Sequence, residues 1–445
     1  MKYLLVAIAV SAASLAGATP TVGNVTWRQA SNGKVIVGYE LSGAPAVVTV
    51  DVQTNCSATG EWVSVGGSAL YGNAACSAGG DVNRIIDSDG PHSISWDAAT
   101  AMAGTAPIAG GARAVVTAWP LDNKPDYMVV DISEGPASAD RVRYYQSAEF
   151  VPGGVLANTA YRLASLLFRK VAARDVVWTM GNACEFSRTG DREAAHPVTL
   201  ANSFYIGVFP VTQRQCNLIY GSFYESNFLI DGDMRIRDRL FYHTYQPYVR
   251  GETYYPDAPA ADSLLGKLRA LVAGAVDFDL PSEAQWEFAA KAGGTVEEGS
   301  WNDGTPYAAT SDTFEVDGNL PGRYRKNQAD ESTTCTSECG PSSGTPIAGS
   351  YAPNALGLYD MHGGVAERCL DWAQDSISSL GGAVNAKGPY LANGQTLGVN
   401  MVVRGGAWCH LASACRASSR AYMAPASTGD EQEAGMRIAC RNGLK

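Results

Sequence analysis

Two differently built parts are predicted along the 445-residue chain: an all-β sandwich first, then a larger, loop-rich globular part that mixes helices with strands. Three observations predict this. Thr19 to Ser133 is a series of short alternating apolar runs punctuated by Gly, Asn and Pro, the pattern of a fibronectin- or immunoglobulin-type antiparallel sandwich. After Asp175 the alternation gives way to isolated strand signals and helix-start signatures. The composition, 46% hydrophobic and 17% charged with 48 glycines, suits a folded chain rich in turns rather than a disordered or coiled one.

The length exceeds one ordinary core and favours two or three domains. Net charge is −11 with no long basic run, which removes the electrostatic footprint of nucleic-acid binding and leaves a solvated acidic surface. Met1-Lys2, the apolar run Tyr3 to Leu15 and Ala16-Gly17-Ala18 have the charged start, apolar core and small-residue exit of a signal peptide. Cleavage after Ala18 would leave Thr19 first and make the product secreted, periplasmic or cell-surface. The run is short for a membrane span, and no later segment is long and apolar enough to be one. Export permits disulfides among the ten cysteines: Cys56 and Cys76 are expected to pair, Cys335 and Cys339 to brace a loop, and Cys216 to be a small buried apolar residue.

In the first part the expected strands are Asn24 to Gln29, Lys34 to Leu41, Ala46 to Val52, His92 to Trp96, Gly111 to Trp119 and Tyr127 to Ile132, with Asn32-Gly33 turning the first hairpin. No catalytic constellation falls there, and a spacer or adhesion role is the default. Residues 134–173, with Pro136, Pro152, Gly153 and Gly154, read as a linker carrying a short helix from Ala157 to Lys170. The second part, 174–445, opens with a strand through Val176-Val-Trp-Thr-Met180 ended by Gly181. Thr212 with Gln215, and Ser282 with Gln285, are capping boxes that start helices. Between them Asp262 is expected to cap a helix whose face is Leu264, Leu265, Leu268, Leu271 and Val272. In the third helix Trp286 and Phe288 cannot both face one core, while Glu283 and Glu287 are read as carboxylates complementing the helix dipole. Gly294 to Pro353 reads as a long polar loop.

The chain is organised around Asn354 to Trp372 and Arg404 to His410. Asp360, the carbonyls of Gly363 and Val365, and Glu367 form a set of hard oxygen ligands of the calcium type, because adjacent glycines let the backbone curl and present carbonyls. The plain alternative is a glycine turn with surface carboxylates and no ion.

Trp178-Thr-Met-Gly, Phe204 to Thr212, Leu280 to Ala290, Asn354 to Trp372, and Val403-Arg-Gly-Gly-Ala-Trp through Gly435-Met-Arg, five blocks in register over about 270 residues, resemble the formylglycine-generating enzyme, or sulfatase-modifying factor, family. The resemblance implies an α+β fold of the C-type-lectin-like class, low in regular secondary structure and held by glycine turns and calcium. It places Asp360, Gly363, Val365 and Glu367 on one family calcium site; the family's second site has no clear counterpart in this chain. It also implies oxidation of a sulfatase cysteine to formylglycine, using oxygen and copper held by two thiolates.

Here Cys409-His-Leu-Ala-Ser-Ala-Cys415 has one residue more between its cysteines than the family's catalytic pair. With Arg404-Gly-Gly in register, Cys415 matches the second cysteine and Cys409 falls one place early. On an extended segment such a slip turns a side chain to the opposite face. Ala407 stands where the family has serine, and Ala366 where it has tryptophan. A structural role for these cysteines, with Cys409 bridging to Cys415 or Cys369, is therefore the stronger expectation.

The reading adopted is an exported member with a divergent cysteine site, in which a sandwich spacer presents a calcium-braced domain to a protein or glycan ligand. The alternative is a copper-dependent oxidase acting on exported sulfatases through Cys409 and Cys415. A third, a different oxidase or transferase on the same scaffold using iron, would need His196, His362 and His410 to converge.

Overall fold

A computed structural model of the chain describes residues 19–30, 32–55, 60–72, 77–103, 111–181, 190–221, 226, 228, 232–242, 248–295, 322–325, 343–373, 400–424 and 433–441. The expected signal peptide and Cys56, Cys76, Cys184, Cys335 and Cys339 lie outside them. No helix among the described residues is long and apolar enough to cross a membrane.

The chain is β-rich with few helices. Its first part forms two antiparallel sheets. One runs Thr21–Gln29, Val35–Ser42, Gly90–Trp96, Gly79–Gly80; the other is centred on Ala46–Thr54, which pairs with Ala112–Pro120 on one side and with Val63–Ser64 and Arg84–Ile86 on the other. The first hairpin turns where expected, with Gly33 at φ +80°. In Val35–Ser42 alternate residues Val35, Val37, Tyr39 and Leu41 are buried, the period-two signature of a strand with one solvated face. Ala46–Thr54 is buried at five successive positions. Val48 and Val50 join the core shared with the first sheet, while Val47 faces the cluster that holds Met128, Tyr144 and Leu264.

Residues 134–173 are not a linker: they carry two strands of the largest sheet. Its order is Val142–Tyr145, Tyr127–Asp131, Ser165–Val171, Phe204–Gly207, Ala439–Arg441, Phe278–Asp279. The helix expected over Ala157–Lys170 is a 3-10 turn at Thr159–Arg162 followed by that central strand. Ser165–Val171 is paired along both edges, to Tyr127–Asp131 and to Phe204–Gly207, and this tertiary pairing overrides the helix-compatible local sequence. Likewise Tyr127–Asp131 is a strand as expected, but it pairs in this sheet rather than with the first two.

The expected helices are present as Gln213–Tyr220, Leu264–Leu271 and Glu283–Ala290, and both capping boxes are formed. The cap of the second is Ser263, whose hydroxyl accepts from the Gly266 N–H, rather than Asp262. Trp286 and Phe288 are both buried because the third helix is enclosed on nearly every side. Trp286 reaches Glu367 and Phe288 packs edge-on against Trp178.

Candidate functional site

The site is built from two double-glycine turns that lock together. Asp360 (φ +55°), Gly363 and Gly364 (+80° and +79°) turn the chain into the strand Ala366–Trp372, and Gly405 and Gly406 (+86° and +67°) turn it out of Met401–Arg404. The Gly363 N–H donates to the Gly405 carbonyl (2.6 Å), and the Trp408 N–H donates to the Gly364 carbonyl (3.1 Å). Glycine is required by approach as well as by φ: a Cβ on Gly363 would sit 2.0 Å from the Arg323 carbonyl oxygen, and one on Gly406 2.7 Å from the Cys415 Sγ.

Behind these turns lies a set of buried charges that the sequence did not disclose. Arg437 donates to the carbonyls of Gly207, Val208, Tyr359 and Asp360 and to both oxygens of Glu367, while the Trp286 indole N–H donates to Glu367 Oε2 at 2.6 Å. Arg404 donates to the carbonyls of Ser418 and Ser419 and pairs with Glu287, which also binds Lys291 (2.7 Å) and accepts the Gly181 N–H. Burial alone would push Glu287 up, but Lys291 and Arg404 hold it below the usual carboxylate range. Glu283 is paired with Arg420. Glu283 stands in the first turn, where a carboxylate complements the helix dipole, and both glutamates are buried. Beside Glu283, Asp371 accepts its N–H (2.6 Å), and burial together with the Glu283 charge pushes the Asp371 carboxyl up to about 8.

Of the expected oxygen ligands, Asp360, Gly363 and Val365 lie in the first turn and Glu367 in the strand that follows it. Asp360 Oδ2 accepts the Gly349 N–H (2.6 Å), whereas Oδ1 is buried with no hydrogen-bond partner. Burial, with the nearby Glu367, pushes Asp360 up to about 6. An orphaned, desolvated carboxylate oxygen beside a carbonyl-presenting turn fits a hard cation. Asp360, the carbonyls of Gly363 and Val365, and Glu367 are the residues that would hold it, with Glu367 shared between the ion and Arg437.

The cysteine segment is arranged differently from an open thiolate pair. Ala366, Ala407, Trp408, Val403, Met423, Ala434 and Phe228 form an apolar cluster against which the half-buried Cys409 packs; Trp408 and Phe228 meet edge-on at 5.2 Å. Ala366 and Ala407 are both buried within this cluster. Cys415 is 1% exposed, its Sγ 3.7 Å from the Leu411 carbonyl oxygen, and is close enough to Cys409 for their charges to interact. Burial pushes both thiols up to about 12, with Glu433 adding to the effect at Cys409. Neither is bridged: Cys216, Cys369, Cys409, Cys415 and Cys440 are all free thiols, so the expected bridge from Cys409 to Cys415 or Cys369 is not formed. Cys369 is held apart inside another buried cluster, and Cys216 is buried as expected.

The three histidines find separate partners. His196 Nδ1 bonds the Ala194 carbonyl, His362 Nδ1 the Cys415 carbonyl (2.6 Å), and His410 Nε2 lies 3.9 Å from Glu433. Among the described residues no three His, Cys, Asp or Glu side chains form a metal-holding group, so the iron arrangement is not assembled there.

Residues 164–442 match the model of the sulfatase-modifying factor enzyme 1-like domain, more than half of the chain. The chain belongs to the sulfatase-modifying factor family. Among its relatives, the formylglycine-generating enzyme of Streptomyces coelicolor is 30% identical over 167 residues, 37% of this chain and 46% of the relative. A protein named serine/threonine-protein kinase pkn1 from Chlamydia caviae is 29% identical over 272 residues, 58% of this chain and 36% of the relative. The chain thus spans less than half the length of these relatives. Among solved structures, Treponema denticola variable protein 1 aligns at TM-score 0.42 and 20% identity, covering 62% of this chain and 96% of that one. PvdO from Pseudomonas aeruginosa aligns at 0.40 and 21%, covering 62% and 94%.

Proposed function

We propose that this sulfatase-modifying factor family protein is a non-oxidising, exported member. In this reading a β-sandwich region precedes a C-type-lectin-like domain, braced by calcium at Asp360, Gly363, Val365 and Glu367, that engages a protein or glycan ligand. The observation that carries it is the state of the cysteine pair. Copper(I) in such a site is held by two thiolates open to a substrate thiol, whereas Cys415 is 1% exposed and Cys409 packs on an apolar cluster.

The test is incubation of the reduced protein with copper(I), oxygen and a Cys-x-Pro-x-Arg peptide, with the aldehyde read by hydrazide capture. No aldehyde above a Cys415→Ser control is expected; turnover abolished by that substitution would establish the oxidase on exported sulfatases instead. The calcium brace predicts a separate result. Calcium should raise the melting temperature and a chelator reverse it, because a ligand bound only to the folded state stabilises it by mass action. Asp360→Ala should remove the response; an equal response in that variant would place the ion elsewhere.

A further inference from the structure

The outer face of the second sheet is covered at one end and open at the other. Along Ala46–Thr54 the residues Val47, Thr49, Asp51 and Gln53 share that face, since alternate residues of a strand point to one side. Val47 is buried in the cluster that holds Met128 and Tyr144, and the Trp119 indole N–H donates to the Thr49 hydroxyl (2.9 Å). Beyond them the face meets solvent. Val115, opposite Asp51, is 36% exposed, and Trp62, just before the strand Val63–Ser64, is 38% exposed.

The open end carries a row of polar side chains fixed in one arrangement. Ser64, Gln53 and Arg113 stand opposite one another across three strands. The Ser64 hydroxyl donates to Asp51 Oδ1 (2.6 Å), the Gln53 amide donates to Asp51 Oδ2 (2.9 Å), and Arg113 donates through Nε and Nη2 to Gln53 Oε1 (2.9 and 2.7 Å). The Arg113 guanidinium also lies over the Trp62 ring, 4.4 Å from its centre. Holding long side chains still on an open face costs rotamer entropy, and it leaves donors and acceptors preorganised beside an exposed indole. Among the described residues, Arg113 Nη1 and the second N–H of the Gln53 amide have no hydrogen-bond partner.

We propose that this face binds a neutral, linear β-1,4-linked glycan, with the C–H face of one sugar ring on Trp62 and its hydroxyls against Arg113, Gln53 and Asp51. An indole offers a rigid apolar surface, and the remaining N–H groups of Arg113 and Gln53 and lone pairs of Asp51 match hydroxyls, which both donate and accept. The site is an open sheet face, which suits the side of an extended chain rather than its end. Charge favours a neutral ligand: Arg113 and Asp51 offset each other, and the exposed Glu61 next to Trp62 repels an anionic polymer. The face shares no residue with the glycine turns or the cysteine segment, so it stands whatever those segments bind or oxidise.

The test is calorimetric titration of the full chain with cellohexaose, mannohexaose and a mannuronate hexasaccharide, the β-1,4-linked anionic counterpart of the second. At least one neutral hexasaccharide should bind, and the mannuronate chain should bind more weakly. Trp62→Ala should weaken the neutral chain about tenfold or more, as loss of an aromatic anchor does. Trp62→Phe, which keeps a ring, should retain most of the affinity, and Val177→Ala, an exposed control on the family domain, should leave it unchanged. Because Trp62 lies on the surface, all three variants should melt with the unaltered protein. Binding of neither neutral chain at millimolar concentration, equal or tighter binding of the mannuronate chain, or neutral-chain binding that survives Trp62→Ala would each overturn the proposal.

Discussion

Arg437 shows what individual residues contribute to this fold. Much of the domain is irregular backbone whose carbonyls have no ladder partner, and buried backbone acceptors must still be satisfied. The guanidinium is suited to this, with five donors in a planar fork. Arg437 takes four carbonyls and one carboxylate, Arg141 takes three carbonyls, and Arg235 takes two. These roles were illegible in the sequence, although Gly435-Met-Arg437 was visible as a motif, because nothing local distinguishes a buried arginine from a solvated one. The ion pairs of Glu283 and Glu287 were hidden for the same reason: their partners Arg420 and Arg404 are 137 and 117 residues away.

Asp371 carries a pH prediction at this scale. Burial and the neighbouring Glu283 push its folded carboxyl up to about 8, above the ordinary aspartate value. The folded protein therefore holds a proton that the unfolded chain has released between about pH 4 and 8, so stability falls with rising pH across that window. Asp371→Asn keeps an acceptor for the Glu283 N–H and should flatten the fall, as read from urea midpoints at several pH values. An undiminished slope in the variant would show that another group is responsible.

At the scale of elements, legibility followed the range of the interactions. Capping boxes at Thr212 and Ser282 are written within four residues, and both helices start where these signals place them. The double-glycine turns were equally local. Ser165–Val171 was not, since its identity as a strand depends on Tyr127–Asp131 and Phe204–Gly207 pairing along its two edges. This strand predicts where the domain can be cut. A chain beginning at Ala164 matches the family boundary but lacks Tyr127–Asp131, leaving the edge of Ser165–Val171 unpaired and exposing Leu166 and Phe168, an aggregation-prone combination. Expression from Ala164 should give insoluble protein and expression from Thr19 soluble protein, as judged by size-exclusion chromatography. A monodisperse, folded product from Ala164 would refute the dependence.

Across the whole molecule, the first part is joined to the family domain through a continuous interior. One buried cluster runs from Val35, Val50 and Trp96 through Tyr145 and Phe150 to Val208, Tyr359 and Val365, and the Gln146 amide donates to the Val50 carbonyl. Period-two patterning disclosed the strands of that part, but not that Ala46–Thr54 buries both faces. The seam lends Val365, beside the glycine turns, a packing surface drawn from both parts. Family membership was legible from five blocks in register, while the environment of the cysteine pair was not, because it depends on Phe228, Met423 and Ala434 arriving from other segments.

The central claim, that Cys409 and Cys415 do not form a copper centre, is tested most directly by copper(I) stoichiometry. The reduced protein would be titrated in competition with a chromophoric copper(I) chelator, beside Cys409→Ser and Cys415→Ser. The account predicts that all three proteins yield the metal equally to the chelator. One copper retained per chain by the unaltered protein, and lost in either variant, would contradict it.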